Sequence, residues 1–205
     1  MKMKIKVEWC SCDINLTEVA NDIGYNLPKL KSVTKKIKDK VSTRAVSVLN
    51  SNTSEDSNDH FNKSLNDIKK GVYIIAFQKD IFLKYKDGHS HVIYIGKGNI
   101  KERLIAHFKS WLSDLSYSLH GANLKLYFNG ATTQGSGSIH SYLEYDLIKR
   151  FKAEYGEYPI KNKQIGTKHG KQIKYSKSWT MPFILPTGAQ KGWVIEPLGK
   201  NSFKK

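Results

Sequence analysis

The chain has 205 residues, 25% charged and 39% hydrophobic, which is ordinary for a globular protein and leaves room for one compact domain with appendages or two small domains. Its 34 Lys+Arg against 18 Asp+Glu give a net charge of +16, which excludes an acidic solvating protein and makes a polyanion the leading partner. No apolar run approaches the ~20 residues of a membrane helix, no signal-peptide core follows the Lys-rich start, and Cys10 and Cys12 are poorly spaced for a disulfide, so a cytoplasmic protein is expected.

Residues 1–50 read as a basic, helical amino-terminal segment. A possible helix-turn-helix would place Thr17–Ala20 on a first helix, Gly24 at the turn and Pro28 at the start of a second helix. Lys29, Lys31, Lys35 and Lys36 would then be available to phosphates, although a plain basic helical segment fits the same residues. Residues 51–70 begin with a polar run, Ser51 to His60, and read as a linker.

Residues 71–164 carry alternating strand and helix patterns. Gly71–Gln78 and His91–Gly96 are β-branched and aromatic and read as two antiparallel strands, with a turn signal at Asp87-Gly88 between them. Ile100–Leu115 repeats apolar residues at helical spacing, including Leu104, Phe108, Trp111 and Leu112. Leu124, Leu126 and Phe128 alternate as a third strand, Thr132–Ser138 is a Gly/Ser loop, and Tyr142–Tyr155 is a helix ended by Gly156 and Pro159. The expected fold is a small α/β (α+β) domain of order β-β-α-β-α with a mixed or antiparallel sheet. Residues 165–205 form a basic carboxy-terminal extension, in which Phe183, Ile184, Trp193 and Val194 suggest that part of it packs back on the domain. The charge excess is +4 over residues 1–70, +5 over 71–164 and +7 over 165–205, so it is densest in this tail.

The chemistry-bearing residues fall in the region 71–164. Arg103 and His107 stand at i and i+4, so they project from one helix face. An arginine fork suits phosphate oxygens. Glu144, on a helix otherwise packed through Leu143 and Leu147, could hold one hard divalent cation. Tyr73 and Tyr94 carry hydroxyls on adjacent strands, and a cation such as Lys97 or Arg103 would be needed to lower their pKa. Taken singly, each is ordinary: a strand tyrosine usually packs, a helix arginine or glutamate is usually solvated, and Asn162 near Pro159 is usually a turn residue. Cys10, Cys12 and His60 match no zinc pattern.

The ordered set Gly71-Val72-Tyr73, Tyr94-Ile95-Gly96-Lys97-Gly98, Arg103, His107, Glu144 and Asn162 resembles the GIY-YIG nuclease domain over residues 71–164. Val72 stands where isoleucine is usual, and the stretch from Tyr73 to Tyr94 is longer than in compact members. The resemblance implies Tyr73 as the group that activates or positions water, Tyr94 and Arg103 at the scissile phosphate, Glu144 on one Mg²⁺ (with Mn²⁺ able to substitute), Asn162 as a support, and His107 assisting proton transfer or holding Tyr73. It implies an endodeoxyribonuclease acting on double-stranded DNA, of restriction type by preference over a homing or mobile-element enzyme, with a homodimer among the arrangements open to it. A non-cleaving nucleic-acid-binding protein on the same scaffold and a basic ribosome-associated protein are the rivals. Apart from the resemblance, Lys168, Lys171, Lys174 and Lys177 recur every three residues, with His169, Tyr175 and Trp179 interleaved, and could track a DNA backbone; a solubilising extension is the plainer alternative.

Overall fold

The computed structural model describes residues 3–30, 32–55, 64–78, 81–119, 122–129, 139–185 and 192–196. It is a mixed α+β fold with three sheets. Nine strands run in chain order as β1 (Met3–Ile5), β2 (Cys10–Ile14), β3 (Gly71–Phe77), β4 (Ile81–Tyr85), β5 (Gly88–Ser90), β6 (Val92–Gly98), β7 (Leu124–Asn129), β8 (Ile173–Tyr175) and β9 (Trp193–Ile195) among the described residues. The helices are α1 (Leu16–Asn21), α2 (Lys35–Glu55), α3 (Ile100–His107), α4 (Ser113–Ser118) and α5 (Ile139–Tyr155), with a π turn at Phe108–Leu112 joining α3 to α4.

The main sheet has the order β2-β7-β3-β6 and is antiparallel throughout. β3 is buried along its whole length, because its alternate side chains meet helices on both sides. The register pairs Tyr73 with Gly96 and Phe128, and Ile75 with Tyr94 and Leu126. Side chains alternate between faces, so Tyr73 and Tyr94 share one face while Ile95 and Lys97 share the other. The length between Tyr73 and Tyr94 is taken up by the hairpin β4–β5, turning at Lys86-Asp87.

The amino-terminal segment is built into this fold. β2 adds to the free edge of β7, and α2 packs on β2, α1 and the π turn. Val41, Ala45 and Leu49 of α2 join one core with Ile74, Leu104 and Phe151. The second helix expected from Pro28 is instead a single 3-10 turn, Leu27–Lys29, which ends as Leu30 becomes extended. The helix-turn-helix is therefore not formed. Ser51–Glu55, the first half of the expected polar run, continues α2, and Ser51 satisfies its hydroxyl on the Ser47 carbonyl. Residues 56–63, His60 among them, and the Thr132–Ser138 loop lie outside the described residues.

Part of the tail packs back. β8 pairs in parallel with β1, β9 pairs in parallel with β4, and Phe183 is buried against Phe151. Ile184, Trp193 and Val194, expected to pack with it, are exposed. No disulfide joins Cys10 and Cys12, which lie on β2. Among the described residues no helix is long and apolar enough to cross a membrane.

Candidate active site

The site forms where the edge strand β6 ends and α3 begins. Asn99 caps α3: its side-chain carbonyl accepts from the Glu102 amide and its amide donates to the Glu102 carboxylate at 2.7 Å. The helix thus starts directly after the strand, which sets Arg103 and His107 beside the tyrosines one turn later. Gly96 is needed here, because a Cβ at that position would fall 2.5 Å from the Tyr94 ring and 2.7 Å from the Tyr73 hydroxyl. The two rings lie 5.9 Å apart between centroids and close over the glycine.

Tyr73, Tyr94 and His107 form one cluster. The His107 ring meets the Tyr94 ring edge-on at 4.6 Å, and its Nε2 lies 2.7 Å from the Tyr73 hydroxyl. Its other ring nitrogen accepts from the Trp111 indole N–H at 3.0 Å. Burial, helped by the nearby Arg103 charge, holds His107 down at about 4, so the ring is neutral near pH 7. Burial raises Tyr73 and Tyr94 above the usual phenol range; Arg103 works against it in both, and Glu144 reinforces it. Tyr73 is wholly buried, whereas Tyr94 is half-buried. Tyr73, the residue implied to activate or position water, is thus covered from solvent in this structure.

Glu144 comes from α5, which packs on β6 and β3. Its carboxylate is nearly buried and sits 2.8 Å from the Lys97 ammonium. The pair is close but off-line, and Glu144 Oε2 has no aligned hydrogen-bond donor. Burial raises the Glu144 pKa, and the Lys97 and Arg103 charges oppose that rise. Lys97, a candidate both for lowering the tyrosine pKa and for DNA binding, is paired with Glu144 in this structure. Gly166, at φ +81°, presses against the same carboxylate, and a Cβ there would stand 2.9 Å from Oε2. These features fit one hard cation. A buried carboxylate oxygen with unused acceptor capacity faces an ammonium that stands in for a cation, and hard oxygen donors with water suit Mg²⁺. No group of three or more His, Cys, Asp or Glu gathers among the described residues, this site included.

Arg103 is exposed at the rim, and its charge is felt by Tyr73, Tyr94, His107 and Glu144 alike. Asn162 does not join them. Its side chain accepts from the Ile95 amide at 2.9 Å and donates to the Ile95 carbonyl at 2.8 Å, pairing with the outer edge of β6 as a strand would. Sequence reasoning passed over three neighbours. Trp111 reads as an apolar helix position, yet it stands four residues from His107 and carries a donor. His140 precedes Glu144 by one turn of α5, and its pKa is lowered by burial and by Lys97 and Lys70. Gly166 has no sequence signal that separates it from a turn glycine.

The tail lysines Lys168, Lys171, Lys174 and Lys177 are all exposed. Lys171 and Lys174 join Lys149 and Arg150 around a groove of about 670 Å³ on α5. On a helix, residues 146, 149, 150 and 153 cluster about half a turn from 144, so the groove and Glu144 are on opposite sides of α5. The interleaved aromatics hold the tail down. His169 packs against Tyr142 and Tyr145 and pairs with Asp146 at 3.2 Å, the Tyr175 hydroxyl donates to Asp146 at 2.7 Å, and Trp179 stacks on Tyr175. Comparison with models of known protein families, with curated proteins and with solved structures gives no match to the chain.

Proposed function

We propose that this chain is a Mg²⁺-dependent DNA endonuclease of GIY-YIG type, hydrolysing phosphodiester bonds. The observation that carries this reading is the convergence of an exposed arginine, a half-buried tyrosine hydroxyl and a single buried carboxylate, all within electrostatic reach of one another. Phosphodiester hydrolysis needs a positioned water, neutralisation of the phosphate and relief of charge on the leaving oxygen. Arg103 supplies forked donors to the phosphate oxygens at the rim. Tyr94 presents its hydroxyl beside that phosphate, where it orients the attacking water. Glu144, whose burial-raised pKa the Lys97 and Arg103 charges oppose, would hold one Mg²⁺, or Mn²⁺ in its place, and the bound cation supplies charge neutralisation at the phosphate. His107 and Tyr73 hold Tyr94 from behind. Asn162 fixes the strand that carries it.

The exposed tail lysines supply affinity for the DNA backbone. A restriction-type enzyme is the form proposed, because the amino-terminal helices share the core of the sheet and do not hang from it on a separate module. The test is incubation of the full chain with plasmid DNA, with and without Mg²⁺ or Mn²⁺, followed by mapping of the cut ends. Cation-dependent cutting at fixed positions is expected, and Glu144→Gln should bind DNA without cutting it. Undiminished cutting by that variant, or no cutting with either metal, overturns the reading.

A further inference from the structure

We propose that Trp111 is a positioning residue that locks His107 in one tautomer, so that hydrogen-bond donation runs one way from Trp111 through His107 to Tyr73. The argument starts from the indole, whose N–H can only donate. It points at His107 Nδ1 from 3.0 Å, so Nδ1 must present its lone pair. A neutral imidazole carries one proton, which therefore sits on Nε2. Nε2 lies 2.7 Å from the Tyr73 hydroxyl oxygen, so His107 is the donor in that contact and Tyr73 the acceptor.

Tyr73 must then send its own proton elsewhere. It is buried from water, and the side chain that shares its pocket across Gly96 is Tyr94. The direction of donation into Tyr73 settles a role. For His107 to take a proton it would have to use Nδ1, which faces the indole N–H, so His107 does not serve Tyr73 as a base. It holds Tyr73 in place beside the Tyr94 ring.

The backbone supports the arrangement. The π turn begins immediately after His107, widening the helix over the residues that bring Trp111 over the imidazole, and the Ser113 hydroxyl takes up the Phe108 carbonyl at 2.8 Å. Lys161 sits 5.0 Å above the indole ring. The titratable and charged groups facing the imidazole are thus Tyr73 from β3, Tyr94 from β6 and Arg103 on its own helix, with Lys161 beyond the indole.

The catalytic consequence rests on the nuclease reading, whereas the hydrogen-bond chain does not. The test is therefore ¹⁵N NMR of the His107 ring in the full chain without DNA, assigned by loss of its signals in His107→Gln, and repeated in Trp111→Phe. A protonated Nε2 with a bare Nδ1 is expected in the unaltered chain. Trp111→Phe, which keeps a ring but removes the donor, should mix the two tautomers and raise the pH at which the imidazole titrates. Single-turnover cleavage should then fall by about tenfold or more, with DNA affinity unchanged. A proton on Nδ1 in the unaltered chain, an unaltered tautomer ratio in Trp111→Phe, or cleavage by that variant at the full rate overturns the proposal. If the unaltered chain cuts no DNA, the nuclease reading and its catalytic consequence fail, while the ring spectra still decide the hydrogen-bond chain.

Discussion

The Lys97 ammonium stands 2.8 Å from Glu144 Oε2, joining the end of the edge strand β6 to α5. Burial raises the pKa of this carboxylate, and the Lys97 ammonium opposes that rise. Lys97→Met should leave that carboxylate uncompensated and cost about 1–3 kcal/mol of stability in chelator. Mg²⁺ or Mn²⁺ at millimolar concentration should restore much of it, since a ligand that binds only the folded state stabilises it. Thermal melts of both proteins, with and without cation, check this; equal melting of the variant in chelator and in cation would show that Glu144 holds no metal.

Arg103 is exposed, so its loss should leave the fold intact. Arg103→Ala should lower the single-turnover cleavage rate by roughly 10²–10³-fold, the usual scale for removing one electrostatic stabiliser of the transition state. A change smaller than about threefold would return Arg103 to the status of a solvated helix residue.

Acid should destabilise the protein above the range in which carboxylates titrate. His91 is fully buried, with no aligned partner for either ring nitrogen, and burial lowers it to about 4 against the opposing pull of the Pro182 backbone; His107 is lowered to about 4 as well. A depressed histidine pKa means that the unfolded chain binds protons first. Stability is therefore level above about pH 6.5 and falls as pH drops from there to about 4, by on the order of 3 kcal/mol for His91. Glu144, whose pKa is raised by burial, contributes in the opposite sense. Denaturant unfolding at several pH values should show this slope, and His91→Gln should flatten it. Equal slopes in both proteins would mean that His91 titrates normally when folded.

The tail lysines are separable from the chemistry. Replacing Lys168, Lys171, Lys174 and Lys177 by Gln should weaken DNA binding and reduce the slope of log affinity against log salt by about 0.9 for each phosphate that is no longer neutralised. Cleavage at saturating DNA should change little, because the basic groove and Glu144 lie on opposite sides of α5. An unchanged slope would leave the tail a solvated extension.

The elements legible in the sequence are those with strong periodicity. β3, β6 and β7 are rich in β-branched and aromatic residues, and α3 and α5 repeat apolar residues at helical spacing, so their types followed directly. β2 was hidden because its inward positions are Cys10, Cys12 and Ile14 between a serine and an aspartate, too few apolar residues to read as a strand until β7 offers an edge. The end of α2 was hidden by Ser and Asn, residues that favour turns unless the tertiary fold holds them helical. Within the site, Tyr73, Tyr94, Arg103, His107 and Glu144 could be named from their order in the chain, and the structure gathers them. Three things required coordinates: the ion pair that occupies Lys97, the strand-edge pairing that occupies Asn162, and the indole behind His107. Each depends on where a neighbour from another element ends up, and no local pattern encodes that.

The pairing of β1 with β8, Met3 with Ile173 and Ile5 with Tyr175, bears on how the molecule comes to be made. Pairings between residues so distant in sequence slow folding, because the loop must close before any of them is rewarded. On a ribosome, the first strand has no partner until residue 175 has left the exit tunnel. β2 likewise waits for β7, with its Lys-rich neighbours keeping it soluble in the interval. Assembly of the sheet core can begin once β7 emerges, but the groove on α5 is walled only when the last of these partners arrives. On the proposed nuclease reading, a chain halted before residue 173 would hold its cleavage residues without its basic groove, a state in which cutting chemistry would precede the grip on DNA.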